Sequence, residues 1–211
     1  MESTARAGIT SVTFEWARGG EAYVLRGPHV LHKGGGKSPY RPVVGDLALL
    51  PGNGKLYYEI RTNTDACKLG LCTKEAFRTV EDLDEVELGG RWDSSAHGKA
   101  PSCGECWVFN CQTSMVEVNG EKCKHLWRLF VPVSGARFGF LVDTDEGSAQ
   151  LFVNDEYQGI VFETPLGLRG KTLHPCVGLE GMDMHNKNIG AGNKGAFVSP
   201  LKATPAFLTA F

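Results

Sequence analysis

From Ile9 onward the chain is a succession of short runs in which apolar and polar positions alternate. Phe138, Phe140 and Val142 fall on one side of an extended segment, with Arg137, Gly139 and Leu141 on the other. Val116 and Val118 point opposite to Glu117 in the same way. Further strand-like runs cover Ile9–Trp16, Ala22–Arg26, Leu56–Arg61, Lys68–Cys72, Trp107–Asn110, Ala149–Val153, Gln158–Phe162, Leu173–Leu179 and Ala196–Ser199. Most are bounded by Gly, Asn, Asp or Pro, which terminate strands. Asn119-Gly120 directly follows Val118 and predicts a tight hairpin, because both residues tolerate positive φ. Asn154-Asp155, after Val153, predicts a second.

Helical spacing is confined to Glu75–Val86, where Ala76, Val80 and Leu83 recur behind Thr73 as a candidate N-cap. One short helix or an acidic loop fits that stretch. The pattern predicts an all-β chain, a two-sheet antiparallel β-sandwich with long loops and at most one or two short helices. Residues 1–8 are small and polar and are expected to be a flexible segment, with 9–211 as a single domain. Glycine sharpens this reading: 27 of 211 residues are Gly, well above the usual ~7%, and they punctuate the whole chain.

The charges exclude some partners. Against 22 Lys+Arg stand 24 Asp+Glu, a net charge of −2, so no basic footprint for gripping nucleic-acid phosphates exists. No run of about 18 apolar residues is present to span a membrane. Seven cysteines cannot all pair within one molecule, and Met1–Thr10 lacks a signal-peptide layout. Reduced thiols in a cytoplasmic or nuclear compartment are expected. A monomer is expected too.

Several motifs resemble chemistry without its context. Gly190-Ala191-Gly192-Asn193-Lys194-Gly195 spells a dinucleotide fingerprint, yet a polar turn precedes it and only 16 residues follow. Gly36-Lys37-Ser38 and Gly170-Lys171-Thr172 lack the leading glycine of a P-loop, since Leu31 and Pro165 stand there. Asp143-Thr144-Asp145-Glu146-Gly147 is read as an acidic reverse turn, because Gly147 occupies the place of a calcium ligand. Cys103, Cys106, Cys111, Cys123 and His125 form the most serious metal or redox candidate. Cys103 and Cys106 have a chelating spacing, but Cys123-Lys124-His125 is a poor second half. No nucleophile, base and acid can be assembled into a catalytic set, so no enzyme, cofactor or bound metal is expected.

Set in order, several segments resemble the SPRY domain, a two-sheet sandwich that serves as a protein-interaction module. Gly54-Lys55-Leu56-Tyr57-Tyr58-Glu59-Ile60 is similar to its entry strand, and Leu69-Gly70-Leu71-Cys72 to the strand that follows. Leu88-Gly89 and Trp107-Val108-Phe109 are middle landmarks. The most specific stretch is Phe138-Gly139-Phe140-Leu141-Val142-Asp143, Asp145-Glu146-Gly147, Leu151-Phe152-Val153-Asn154, Gly159, Phe162, Leu173 and Pro175. The landmarks span about residues 29–182 in family order. Ala136 stands where the family usually has Asp.

The resemblance implies an adaptor surface made of loops, here His29–Pro42, Thr73–Cys106, His125–Val133 and Glu180–Gly195. Within them Tyr40, Arg41, Arg91, Trp92, Trp127 and Arg128 are residue types enriched at interfaces. Family placement puts the ligand face on the first of these loops and on Leu179-Glu180-Gly181, with Lys33 and Arg41 supplying positive charge and Glu180 negative. SPRY domains coupled to SOCS boxes carry an aromatic there that helps hold an Asn-rich peptide. Lacking it, this chain is expected to take a different protein or peptide. The acidic Glu81–Glu87 loop is a rival surface for basic partners. A lectin-like glycan-binding domain is the alternative of the same architecture, and a metal or redox protein on the cysteine set is the third.

Overall fold

The structure is a computed structural model that describes residues 8–33, 40–89, 104–126, 135–180, 194–201 and 204–210. In chain order its strands begin with β1 (Thr10–Ser11), β2 (Trp16–Gly19), β3 (Tyr23–Arg26), β4 (His29–His32) and β5 (Arg41–Gly45). β6 (Lys55–Thr62) and β7 (Cys67–Thr73) follow, then helix α1 (Val80–Glu85). The middle holds β8 (Cys106–Asn110), β9 (Met115–Val118), β10 (Glu121–His125), β11 (Arg137–Asp143), β12 (Ser148–Val153) and β13 (Glu156–Phe162). β14 (Leu173–Leu179) and β15 (Gly195–Val198) complete the set, with short 3-10 turns at Thr164–Leu166 and Ala206–Ala210.

These strands form two sheets. The first runs β13-β12-β11-β6-β15-β4-β3, with β1 added alongside β6 in parallel. The second runs β10-β9-β8-β7-β14-β5-β2 and is antiparallel throughout. The inner faces meet in one core built by the alternation seen in the sequence. Phe138, Phe140 and Val142 face Leu69, Leu71, Trp107 and Phe109 across the sandwich, all essentially without solvent contact. Burying each such side chain contributes roughly 1.5–3 kcal/mol. Trp107 is fully buried in this core, and its indole N–H donates to the Leu166 carbonyl at 2.7 Å.

Both outer faces are partly covered. On the first sheet, Tyr57, Leu141 and Phe152 lie beneath Phe207 and Leu208 of the C-terminal turn, beside Ile9. On the second, Cys72, Cys106, Val108 and Cys176 lie beneath Ala76, Phe77, Leu83, Val86 and Leu88. The described first half of the β7–β8 connection therefore closes a second, smaller core.

Some expectations are corrected. Ile9–Trp16 is not one strand but β1 and the start of β2, in different sheets. The expected loop His29–Pro42 opens with β4 and closes inside β5. Pro42 is tolerated there because β2 pairs only as far as Val43, while Pro42 itself lies opposite Gly178. α1 spans only Val80–Glu85, and Thr73 does not cap it; its hydroxyl accepts the Glu105 N–H instead.

Candidate functional site

Four strand ends converge at one end of the sandwich. β4 finishes at His32 and runs on to Lys33; β5 starts at Arg41; β14 finishes at Leu179 and runs on to Glu180; Lys194 leads into β15. Arg41 and Leu179 are register partners, and the His32 N–H donates to the Lys194 carbonyl at 2.8 Å. Tyr23, from β3 in the other sheet, locks this end. Its hydroxyl donates to the Arg41 carbonyl at 2.8 Å and accepts the Leu179 N–H at 3.1 Å. Its ring meets that of His32 edge to face at 5.2 Å. Burial raises the Tyr23 phenol above its ordinary value of 10, which keeps it a neutral donor.

Charged side chains are mounted on this rigid base. Glu180 and Lys194 approach to 3.6 Å, with the Glu180 side chain 45% exposed. Lys33 is exposed and Arg41 half-buried. An exposed pair of this kind adds little stability, on the order of 0–1 kcal/mol.

Tyr40, just before β5, packs on the outer face of the second sheet. Its hydroxyl donates to Gln112 Oε1 at 3.0 Å, and its carbonyl accepts the Leu88 N–H at 2.7 Å. Beneath it the buried Lys68 ammonium sits 4.7 Å from the ring centre. Lys68 pairs with Glu117 at 3.0 Å and Glu87 at 3.6 Å, and donates to the Gly89 carbonyl at 3.1 Å. Two glycines make room. A Cβ on Gly178 would lie 2.9 Å from that of Tyr40, and one on Gly89 would lie 2.3 Å from the Glu117 carboxylate, where φ is also +65°. Burial raises the Glu117 carboxyl above the usual carboxylate range, with Lys68 pulling it back down. Burial and the negative charge of Glu180 raise the Tyr40 phenol.

No protein-family model matches the chain, and no curated protein matches it in sequence. Solved structures do. The chain is similar to the PSpry domain of TRIM65, with a TM-score of 0.58 at 16% identity over 91% of this chain and 94% of that one. It is similar to the SPRY domain of human HERC1, with a TM-score of 0.57 at 13% identity over 87% of this chain and 96% of that one. Stonustoxin matches at 0.55 and 15% identity, over 90% of this chain and 29% of the toxin chain. The chain has the SPRY fold.

Within this SPRY fold, Arg41, Tyr40, Leu179 and Glu180 are brought together, with Lys33 on the neighbouring strand end. Leu179 turns its side chain into the inter-sheet core, so only its backbone serves this end. Tyr40 is 9% exposed and acts as a cover over Lys68. Arg91, Trp92, Trp127, Arg128 and Gly181 lie outside the described residues. Sequence reasoning missed Tyr23 and the Lys68–Glu117 pair. The signal for the second was a lone lysine between Cys67 and Leu69 in an otherwise apolar strand.

The cysteine candidate is dispersed. Cys111 lies in the inter-sheet core near Cys67, Cys106 under the second sheet's cover, and Cys123 and His125 on the exposed edge strand β10, while Cys103 is outside the described residues. Among the described residues no group of three or more His, Cys, Asp or Glu is placed to hold a metal. In the fingerprint-like motif, Gly190–Asn193 lies outside the described residues, and Gly195 opens a strand rather than a helix. Gly36-Lys37-Ser38 is likewise outside, while Lys171 pairs with Glu105 and lies over the Trp107 ring at 5.0 Å. The acidic turn is a turn: Asp143 Oδ1 accepts the N–H groups of Asp145 and Glu146. The rival acidic surface is partly spent internally, since Asp84 accepts the Glu21 N–H and Glu87 faces Lys68. Among the described residues no helix is long and apolar enough to cross a membrane.

Proposed function

We propose that this SPRY-fold chain is a non-catalytic protein-recognition module that binds a protein or peptide partner at the Lys33, Arg41, Glu180 and Lys194 end. One observation carries the reading: charges of both signs stand on strand ends that Tyr23 locks together across the two sheets. A prearranged surface loses little conformational freedom on binding, which favours affinity. The alternating charge suits a partner segment carrying both an acid and a base. We extend the proposal to Arg91, Trp92, Trp127, Arg128 and Gly181 as further partner contacts, with Tyr40 holding the base of the surface. The six described cysteines are all free thiols, which supports work in a reducing cytoplasmic or nuclear compartment.

Panning a random peptide library and a glycan array against the folded chain tests this. Enriched peptides whose binding weakens by at least ~1 kcal/mol in Arg41→Ala or Glu180→Lys are the expected result. Peptides bound equally by both variants would move the site elsewhere, and glycan binding alone would replace the reading with a lectin.

A further inference from the structure

A cleft of about 340 Å³ opens at the other end of the sandwich. Its walls are Thr13, Phe14 and Glu15 between β1 and β2, Pro28 in the β3–β4 turn, Asp46 after β5, and Phe197, Val198 and Pro200 at the end of β15. β5 sets its distance from the surface described above. Arg41 opens that strand and Asp46 follows it, so the two ends stand roughly 16 Å apart at ~3.3 Å per residue. Among the described residues, none of Lys33, Arg41, Glu180 and Lys194 lines the cleft.

The cleft is preformed. Glu15 and Asp46 exchange bonds, the Glu15 N–H to Asp46 Oδ1 and the Asp46 N–H to the Glu15 carbonyl, both at 2.9 Å. The Trp16 N–H donates to the Gly27 carbonyl and the Val198 N–H to the Pro28 carbonyl, each at 2.9 Å. Four separate segments are thereby fixed around one space. Phe14 is pinned edge to face against both Trp16 and Tyr58, at 5.0 and 5.5 Å.

Its lining is mostly apolar. Phe14, Pro28, Phe197, Val198 and Pro200 are apolar and Thr13 adds a hydroxyl, and among the described residues the charged ones lining it, Glu15 and Asp46, are acidic and exposed. Apolar walls with two carboxylates at the rim complement an aliphatic stem that ends in a cation. A planar guanidinium can meet two carboxylates at once and lie against an aromatic face, which a compact ammonium does less well. The volume lies within the range of small-ligand sites, roughly 300–1,000 Å³. We propose that this cleft receives an arginine side chain from a partner protein, as a second contact independent of the Lys33–Glu180 surface.

The test titrates an acetylated, amidated Gly-Arg-Gly peptide into the full folded chain and follows its amide resonances. The same peptide with citrulline, the neutral isostere of arginine, is the control. The arginine peptide should shift the signals of Glu15, Asp46 and Phe197. Citrulline in its place, or Glu15→Gln combined with Asp46→Asn, should weaken binding by roughly tenfold or more. Arg41→Ala should leave the affinity unchanged. Equal binding of the citrulline peptide, shifts confined to another surface, or full affinity in the double variant would overturn the proposal. The citrulline arm uses the unaltered protein and so stands even if a variant fails to fold.

Discussion

Asn154 Oδ1 accepts the Arg137 N–H at 3.0 Å, while the Asn154 N–H returns to the Arg137 carbonyl at 2.9 Å. Asn119 does the same to Cys106, at 2.8 and 2.9 Å. Each Asn sits at a hairpin corner with φ near +50°, yet each binds the first residue of a third strand, β11 or β8. The turn residue thus also stitches the hairpin to its neighbour.

Substitutions should separate these two roles. Asn119→Gly keeps the left-handed backbone but loses the acceptor, and should destabilise by about 1 kcal/mol; Asn119→Ala loses both and should reach about 2 kcal/mol or more. Asp keeps both features and should stay within ~0.5 kcal/mol. Effects at Asn154 should be smaller, because its bond to Arg137 is exposed whereas that to Cys106 is partly buried. Chemical denaturation reads the order; an equal loss for Gly and Asp would refute the acceptor role.

Those corners show what the sequence could reveal. Asn-Gly and Asn-Asp announce their turns because positive φ is a local property of two residues. The alternation of Phe138, Phe140 and Val142 announces an inward face for the same local reason. The bond from Asn154 to Arg137 depends on which strand lies alongside, and no short window contains that. Tyr23 reads as one more apolar position in Ala22–Arg26, since its partners Arg41 and Leu179 are far along the chain. β4 was hidden by its two histidines, although Val30 and His32 are both buried. Glu117 points opposite to Val116, as the alternation predicts, but that opposite side is covered by residues that approach from the β7–β8 connection.

The Lys68–Glu117 pair gives the chain a defined pH response. A carboxyl raised above 4.5 on folding means that the folded state binds more protons than the unfolded state just above that pH. Stability then falls as pH climbs through that window. His32 and His174 act with the opposite sign: burial lowers both from 6.5, so stability rises with pH up to that value. Glu117→Gln should remove the falling component and leave a steady rise across mildly acidic pH in denaturation midpoints. Lys68→Met, which strands a buried carboxylate, should destabilise by about 3–5 kcal/mol near neutral pH. Changing both Lys68→Met and Glu117→Leu should recover much of that loss.

Thiol chemistry separates the exposed cysteine from the enclosed ones. Cys123 is exposed on β10, whereas Cys106, Cys111 and Cys176 are fully buried and burial pushes their thiols up. The thiolate is the reactive form, so both access and ionisation protect the buried three. Among the described cysteines of the native protein iodoacetamide should label Cys123 first, with those three modified only after denaturation. Mapping the labelled peptides by mass spectrometry checks this, and early labelling of Cys106 would contradict the closed cover over the second sheet.

Tyr23 supplies the sharpest test of how the fold serves recognition. Its hydroxyl bonds to Arg41 and Leu179, while the ring packs edge to face against His32. Tyr23→Phe therefore keeps the packing and removes the lock. The buried Leu179 N–H loses its partner, which should destabilise by about 1–3 kcal/mol. If the Arg41–Glu180 end recognises a partner through a prearranged backbone, the same change should also weaken peptides selected on the native chain, under conditions where the variant is fully folded. Glu180 would keep its bond to Ala66 and its approach to Lys194, so the charges would remain while their spacing loosened. Calorimetry on Tyr23→Phe should then show weaker binding with a larger unfavourable entropy than the native chain. Lost stability with full affinity would mean that the lock serves the fold alone, and that the surface at this end needs no help from the second sheet's neighbour to bind.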